Sequence, residues 1–232
     1  DWNDLRARID PPDRRCYAFF HPALTDEPLI FVEVALTKEI PSAIAPILAR
    51  GRKPLDPREA TAAVFYSISN TQRGLAGVSF GSFLIKQVAE EISREFPKLD
   101  TFVTLSPVPG FAKWLARERK ARSSTAIRDS DRAALALLDR TGWEQDEESR
   151  TALEAPLKAL AAHYFLNAKT SYGRPLDPVA RFHLGNGAAL AHIHAFADLS
   201  PRGLAQSHGI MVNYHYDLAE IEKNHEAYAE AS

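Results

Sequence analysis

The sequence lacks most of the features that mark secreted, membrane or disulfide-bonded proteins. Cys16 is the single cysteine among 232 residues, so no disulfide can form within the chain, and a reducing, cytoplasmic location is expected. No apolar run approaches the ~20 residues that a membrane-spanning helix needs, and the N-terminus has no basic-then-apolar signal pattern. We therefore expect no membrane partner.

The sequence also lacks a large excess of charge of either sign. The 28 Lys and Arg residues are interspersed with 30 Asp and Glu residues, for a net charge of −2. This balance argues against binding nucleic acid through bulk attraction to phosphate, although a local basic site for a phosphorylated ligand stays compatible with it. The hydrophobic fraction of 45% is typical of globular proteins. We expect residues 1–232 to form a single domain, although a chain of this length can also support two small ones.

Three short segments have the composition of strands. Residues 29–36 form an apolar run rich in Ile, Val and Phe, and residues 61–70 and 101–105 form two more. Between the last two, a glycine-rich segment leads into residues 80–96, where apolar residues recur every four positions as in an amphipathic helix. A strand, helix, strand succession predicts two parallel strands side by side.

The second half of the sequence is mainly helical in pattern. Residues 114–167 predict helices with a charged middle, and a short helix should follow with Asp177 as its N-cap and Gly185 just past its end. Strands are predicted near residues 189–199 and over residues 210–216. The predicted fold class is α/β or α+β, with a mixed sheet in one domain that carries a helical insertion.

The glycine-rich segment suggests an anion site. Gly74, Gly77 and Gly81 precede or begin a helix, where backbone N–H groups and the helix dipole favour a phosphate, and Arg73 adds a charge. The spacing fits neither the P-loop nor the dinucleotide-binding pattern. A pyrophosphate such as that of coenzyme A fits better, while a plain flexible turn remains the alternative.

The same segment contains a G-x-S-x-G match centred on Ser79. In a nucleophile elbow this serine would attack an ester or thioester, which makes a hydrolase an alternative function. That motif needs an apolar strand that runs directly into the serine. Here polar residues and two glycines intervene after residue 70, so the elbow geometry is disfavoured.

Two further residues sit where chemistry often occurs, although neither stands out from the residues alone. Ser106 follows the third strand at its carboxyl end, where open parallel sheets bind ligands. His183 falls in the last turn of the short helix, where the dipole favours an imidazolium that can donate a proton. His192 and His194 alternate on a strand, but no third metal ligand with sensible spacing is evident, and we expect no metal.

Five segments, in order along nearly the whole chain, resemble the malonyl-CoA decarboxylase family. They are FFHPALTDEPLIFVEVALT, VFYSISNTQRGLAGVSFGSFLIKQV, FPKLDTFVTLSPVPGFAKWL, PVARFHLGNGA and HGIMVNYHY. The resemblance implies a GNAT-like fold, in which a glycine loop binds the coenzyme A pyrophosphate and two parallel strands splay to admit the acyl chain. It also implies a missing N-terminal helical domain used in self-association. Residues 1–15 would then be a connector, and the full-length protein a homo-oligomer.

The resemblance further implies a reaction and a set of site residues. Malonyl-CoA would lose carbon dioxide to give acetyl-CoA, with no cofactor beyond the coenzyme A of the substrate. Ser106 and His183 match the active-site serine and histidine, and Ser67 and Tyr216 match positions that line the acyl pocket. The substrate-binding loop matches Ala76, Gly77, Val78, Ser79, Phe80, Gly81 and Ser82.

One departure from the family concerns this loop. Some members carry a glutamate where Ser79 stands, so any role of that carboxylate is absent or moved here. Two other functions stay open: a coenzyme A-dependent acyltransferase of the same fold, and the thioesterase that uses Ser79.

Overall fold

The computed structural model describes residues 6, 8–71, 83–121 and 124–230. Its strands are β1 (Arg14–His21), β2 (Leu24–Thr37), β3 (Ala62–Asn70), β4 (Thr101–Thr104), β5 (Ser106–Pro107), β6 (Ala189–His194) and β7 (Met211–His215). Its helices are α1 (Ala45–Leu48), α2 (Phe83–Glu95), α3 (Phe111–Lys120), α4 (Arg132–Leu135), α5 (Glu147–Asn167), α6 (Pro178–Gly185), α7 (Pro201–Ser207) and α8 (Ile221–Glu230). Short 3₁₀ turns occur at Pro57–Glu59, Asp129–Asp131, Ala136–Asp139 and Trp143–Gln145.

The chain forms two compact units. The first contains Asp1–Ser106, His183–Leu190 and Asn213–Ala231. The second contains Pro107–Phe182 and Ala191–Val212. Among the described residues, no helix is both long enough and apolar enough to cross a bilayer.

The sheet is mixed, as the sequence predicts. Its strand order is β1-β2-β3-β4-β7-β5, and β6 pairs with β7. β1, β2 and β3 are antiparallel neighbours, whereas β3 and β4, which α2 connects along the chain, pair in parallel. The three predicted strands at 29–36, 61–70 and 101–105 are therefore confirmed, and so is the crossover that joins the last two.

The parallel pair β3 and β4 separates part-way along β3. Their ladder ends at Phe65, whose carbonyl accepts the N–H of Leu105 at 3.0 Å, while β3 continues beside β2 to Asn70. At this point the β2–β3 register shifts, because Glu33 pairs with Ser67 and the next residue of β2 pairs with Phe65. Tyr66 is thus an extra residue, a β-bulge of the kind that bends a strand.

The second unit is the helical insertion. α3 packs with α5 and α7, and α4 packs with α5. Phe111 and Trp114 of α3 stack at 5.8 Å, and Tyr164 of α5 meets Phe111 edge-on at 5.8 Å. These three aromatic side chains are buried, so the helical pattern of residues 114–167 reflects a core of its own.

The elements β1, β5, α7 and α8 were not predicted. β1 begins at Arg14, inside the segment interpreted as a connector. α6 begins at Pro178 as predicted but includes Gly185, and the glycine with a positive φ is Gly187 (80°). The predicted phosphate loop, including Arg73, Gly74 and Ser79, lies outside the described residues.

Candidate active site

Ser106 lies at the first residue of β5, immediately after β4 leaves its parallel neighbour. Its side chain is buried, with the residue 5% exposed. The hydroxyl donates a hydrogen bond to Oγ1 of Thr104 at 2.9 Å. Its oxygen also lies 3.1 Å from Nε2 of His183, which is 77 positions away in the sequence. The fold therefore brings together the two residues that the family resemblance singles out.

His183 reaches this position from the last turn of α6. The helix starts where the sequence predicts, because Oδ1 of Asp177 accepts the backbone N–H of Ala180 at 2.9 Å. The imidazole ring of His183 stacks on Tyr214, with centroids 4.5 Å apart. Its Nδ1 lies 2.8 Å from the phenol oxygen of Tyr216. Both ring nitrogens of His183 thus have a protein partner.

The direction of these bonds assigns the tautomer of His183. Ser106 has one hydroxyl proton, and it points to Thr104, so the proton between Ser106 and Nε2 belongs to the histidine. Nδ1 is then the acceptor of the Tyr216 hydroxyl. The four side chains form one directed chain of hydrogen bonds that runs from Tyr216 through His183 and Ser106 to Thr104.

Burial sets the charge state of this chain. Desolvation lowers the pKa of His183 to about 3, and it raises the pKa of Tyr216 well above its ordinary value. Both side chains are therefore neutral at physiological pH. The prediction that His183 favours the protonated form at the helix end is wrong for this structure, because the loss of hydration outweighs the dipole.

α8 fixes the end of α6 that carries His183. The ring N–H at Nδ1 of His225 donates to the carbonyl of Gly185 at 2.6 Å, and the amide of Asn224 donates to the carbonyl of Gly187 at 3.2 Å. A side chain on Gly187 would come 2.1 Å from the backbone oxygen of Ile221. α8 and the end of α6 are consequently in close backbone contact.

Thr104 was not predicted as a site residue, yet it connects three parts of the site. Its Oγ1 also accepts the backbone N–H of Tyr214 at 3.1 Å, and its carbonyl accepts the side-chain amide of Asn213 at 2.7 Å. Strand alternation was the available signal, since Thr104 and Ser106 are two positions apart and share a face. The same two-residue spacing relates Tyr214, which lies in β7, to Tyr216, which directly follows β7.

The other residues singled out by sequence lie elsewhere. Ser67 is half-buried on β3, beyond the bulge, and its hydroxyl lies 3.5 Å from that of Ser69, outside the hydrogen-bonded chain. Ala76, Gly77, Val78, Ser79, Phe80, Gly81 and Ser82 fall outside the described residues. The rings of His192 and His194 lie 5.9 Å apart on β6. In the part of the chain that the structure describes, no group of three or more His, Cys, Asp or Glu residues is arranged to hold a metal ion.

Comparison with known protein families matches residues 1–232 to the model of the malonyl-CoA decarboxylase C-terminal domain. The chain belongs to the malonyl-CoA decarboxylase family. It is 40% identical over 248 residues to the mitochondrial malonyl-CoA decarboxylase of Anser anser anser, and 40% identical over 252 residues to that of Rattus norvegicus. These alignments cover 98% of this chain but only 49% and 50% of the two relatives.

Solved structures agree with the family. The malonyl-CoA decarboxylase of Rhodopseudomonas palustris superposes with a TM-score of 0.94 at 63% identity, covering 99% of this chain and 53% of that one. The enzyme of Agrobacterium vitis gives 0.93 at 54% identity, covering 99% and 56%. A GNAT-like decarboxylase, GphF, solved with isobutyryl-CoA, gives 0.55 at 18% identity over 94% of this chain. The predicted GNAT-like fold is thus confirmed, and the chain spans about half the length of the malonyl-CoA decarboxylases it matches.

Proposed function

We propose that this chain is a catalytic domain that decarboxylates malonyl-CoA to acetyl-CoA and carbon dioxide. The chain belongs to this family, and the observation that supports the proposal is the buried contact of 3.1 Å between the Ser106 hydroxyl and Nε2 of His183. The bond between the carboxylate carbon and the α-carbon breaks, and its electron pair moves into the thioester to give an enolate. The α-carbon then takes one proton. The thioester carbonyl accepts the electrons, so the step needs no separate cofactor or metal.

The proposed role of the pair is to stabilise the enolate and supply that proton. Ser106 directs its hydroxyl to Thr104 and receives the Nε2 proton of His183. A substrate carboxylate beside this neutral pair favours protonation of His183, because an adjacent negative charge raises the pKa of an imidazole. The serine hydroxyl would turn to the substrate and give its proton to the α-carbon, while Nε2 of His183 returns its proton to the serine oxygen. One solvent proton, taken up at Nδ1 of His183 as the Tyr216 hydroxyl turns away, would balance the step.

Mass spectrometry of the products formed in heavy water tests the reaction. Incubation with malonyl-CoA should give acetyl-CoA with a deuteron at the α-carbon. Ser106→Ala and His183→Asn should each lower kcat by roughly 10²–10⁴, with little change in the affinity for coenzyme A. Free coenzyme A with malonate would instead indicate a hydrolase that uses Ser79. Intact malonyl-CoA, or full turnover in both variants, would contradict the proposal.

The proposal extends to the metabolic role, the partners and the location of the protein. A role in fatty acid metabolism follows from the substrate, and the net charge of −2 supports the absence of a nucleic-acid partner. Self-association of a full-length protein, the absence of a membrane partner and the cytoplasmic location stay predictions. The single cysteine fits a reducing compartment, while the animal relatives are mitochondrial by name.

A further inference from the structure

The outer edge of β1 is open to another strand. β1 is the first strand of the sheet and pairs with β2 on one side. Among residues 6, 8–71, 83–121 and 124–230, no strand pairs with its other side. Residues 16–20 read Cys-Tyr-Ala-Phe-Phe, without the charges or prolines that sheets commonly use to keep an edge from pairing. The register irregularities of β1 come only after Phe19, so residues 16–19 present a regular edge without charge or proline to keep another strand away.

The backbone groups that face outward can be assigned from the ladder. The N–H of Leu36 donates to the carbonyl of Asp13 at 2.9 Å, which makes this a hydrogen-bonded pair. Such pairs alternate along antiparallel strands, and the register is regular from Arg14 to Phe19. Tyr17 therefore bonds to β2, whereas Cys16 and Ala18 direct both their N–H and C=O groups to the outer edge.

A groove of about 400 Å³ runs beside this edge. One wall is Tyr17, Ala18 and Phe19 of β1, and the other is a face of α2. The α2 wall carries both signs of charge, since Glu90 and Glu91 lie beside Arg94, whose guanidinium is 3.0 Å from the Glu91 carboxylate. A surface that carries both signs can meet a rotated copy of itself without the repulsion that a surface of one sign would produce.

We propose that the β1 edge pairs antiparallel with the β1 edge of a second copy of this chain, about a two-fold axis at Tyr17. In this register Cys16 of each copy faces Ala18 of the other, so the four outward N–H groups all find carbonyls. The two Tyr17 side chains occupy the central non-hydrogen-bonded position, where Cα atoms approach to about 4.5 Å. Aromatic pairs are favourable there.

The surrounding surface supplies further apolar contact. Phe20 is 52% exposed and Leu24 is 47% exposed at the turn between β1 and β2. A specific interface buries at least about 1,000 Å² in total, more than a short strand pair provides. The groove and these two side chains extend the contact on both sides of the strand. The proposal concerns a surface apart from Ser106 and His183, and it does not depend on the proposed reaction.

A charge-swap experiment tests the pairing. Light scattering after gel filtration, over a wide range of concentration, should show that the 232-residue chain dimerises. Tyr17→Lys and Tyr17→Glu each place like charges opposite one another and remove the aromatic pair, so each should weaken dimerisation at least about tenfold. An equimolar mixture of the two variants should restore a heterodimer. The control is Tyr172→Lys, since Tyr172 is a tyrosine that is 85% exposed, and it should dimerise like the unaltered chain.

Two outcomes would overturn the proposal: a monomer at every concentration, or a dimer that neither Tyr17 variant weakens. Circular dichroism establishes that the variants fold. If they do not, hydrogen exchange of the unaltered chain decides, because the amides of Cys16 and Ala18 should exchange more slowly as the concentration rises. Exchange at these two amides that is independent of concentration would equally contradict the pairing.

Discussion

The phenol oxygen of Tyr216 lies 2.8 Å from Nδ1 of His183, and both side chains are buried. Because burial keeps the phenol protonated, this bond holds Nδ1 as an acceptor and leaves the ring proton on Nε2, which faces Ser106. The orientation of the histidine therefore depends on a residue that is not itself next to Ser106. Phe65 packs edge-on against the Tyr216 ring, with centroids 6.4 Å apart, and supports it from the sheet.

Replacing Tyr216 with Phe tests this dependence. The ring packing remains, but Nδ1 of His183 loses its partner, and an unpaired buried polar group costs about 1–3 kcal/mol. We expect Tyr216→Phe to lower kcat for malonyl-CoA by roughly tenfold to a hundredfold, with KM nearly unchanged, in steady-state assays. Tyr172→Phe, at an exposed tyrosine, should retain full activity. Unchanged kcat in Tyr216→Phe would show that the bond does not set the working tautomer.

Acid should destabilise the fold through its buried histidines. Burial lowers the pKa of His183 to about 3 from an ordinary 6.5, so the unfolded chain binds the extra proton between these values. Stability is therefore complete above about pH 6.5 and declines as the pH falls, by about 2 kcal/mol at pH 5 for such a histidine. Burial also lowers the pKa of His208, to about 4, and this adds a loss of the same sign.

Urea unfolding at pH 7 and pH 5 measures this loss. In His183→Gln the difference in unfolding free energy between the two pH values should be smaller than in the unaltered chain. His192→Gln changes an exposed histidine on β6 and should leave the difference as it was. A His183→Gln protein with the full pH dependence would place the responsible proton on another group.

The fold should lose less stability when Asp177 loses its charge than when it loses the hydrogen bond that it accepts from Ala180. Burial raises the pKa of this carboxyl, opposed by the backbone N–H of Ala180. A raised pKa in the folded state means that ionisation works against folding, so stability from this group increases as the pH falls through that pKa. Asp177→Asn keeps an acceptor for the N–H and should be near neutral, whereas Asp177→Ala should lose about 1–2 kcal/mol. Urea midpoints at pH 7 compare the two, and equal losses would rule out capping as the main contribution.

Gly187 should not accept a side chain. Its φ of 80° is unfavourable for other residues, and a Cβ would lie 2.1 Å from the oxygen of Ile221. Gly187→Ala should cost at least about 3 kcal/mol, from backbone strain together with displacement of α8. The matched control is Gly51→Ala, with a φ of 70° but no described atom within 4 Å, which should cost about 1–2 kcal/mol. Thermal unfolding distinguishes the two, and equal shifts would mean that the contact with Ile221 adapts freely.

Local patterns predicted much of the fold and little of the site. Residues 29–36 are read as a strand because their composition is decisive over a short window, and Pro178 with Asp177 marks the start of α6 for the same reason. The proximity of Ser106 and His183 depends on contacts 77 positions apart, which no local pattern contains. The family resemblance alone pointed to the pair.

The missed elements show the same limit. The support that α8 gives to Gly185 and Gly187 rests on side chains of the last helix, whose sequence is mostly polar. The prediction of a protonated His183 was wrong because the sequence shows that the residue lies at a helix terminus but not that its side chain is buried. By contrast, Thr104 lay within reach of strand alternation, since it is two residues before Ser106.

The bulge at Tyr66 divides β3 into halves that should differ in the substitutions they tolerate. From Ala62 to Phe65 the strand is buried and paired on both sides, so polar replacements there should be eliminated by selection for folding alone. After Tyr66 the residues become steadily more exposed and pair only with β2 among the described strands. The sheet should therefore tolerate substitutions in this second half more readily than in the first, because fewer buried contacts and fewer strand pairings depend on it.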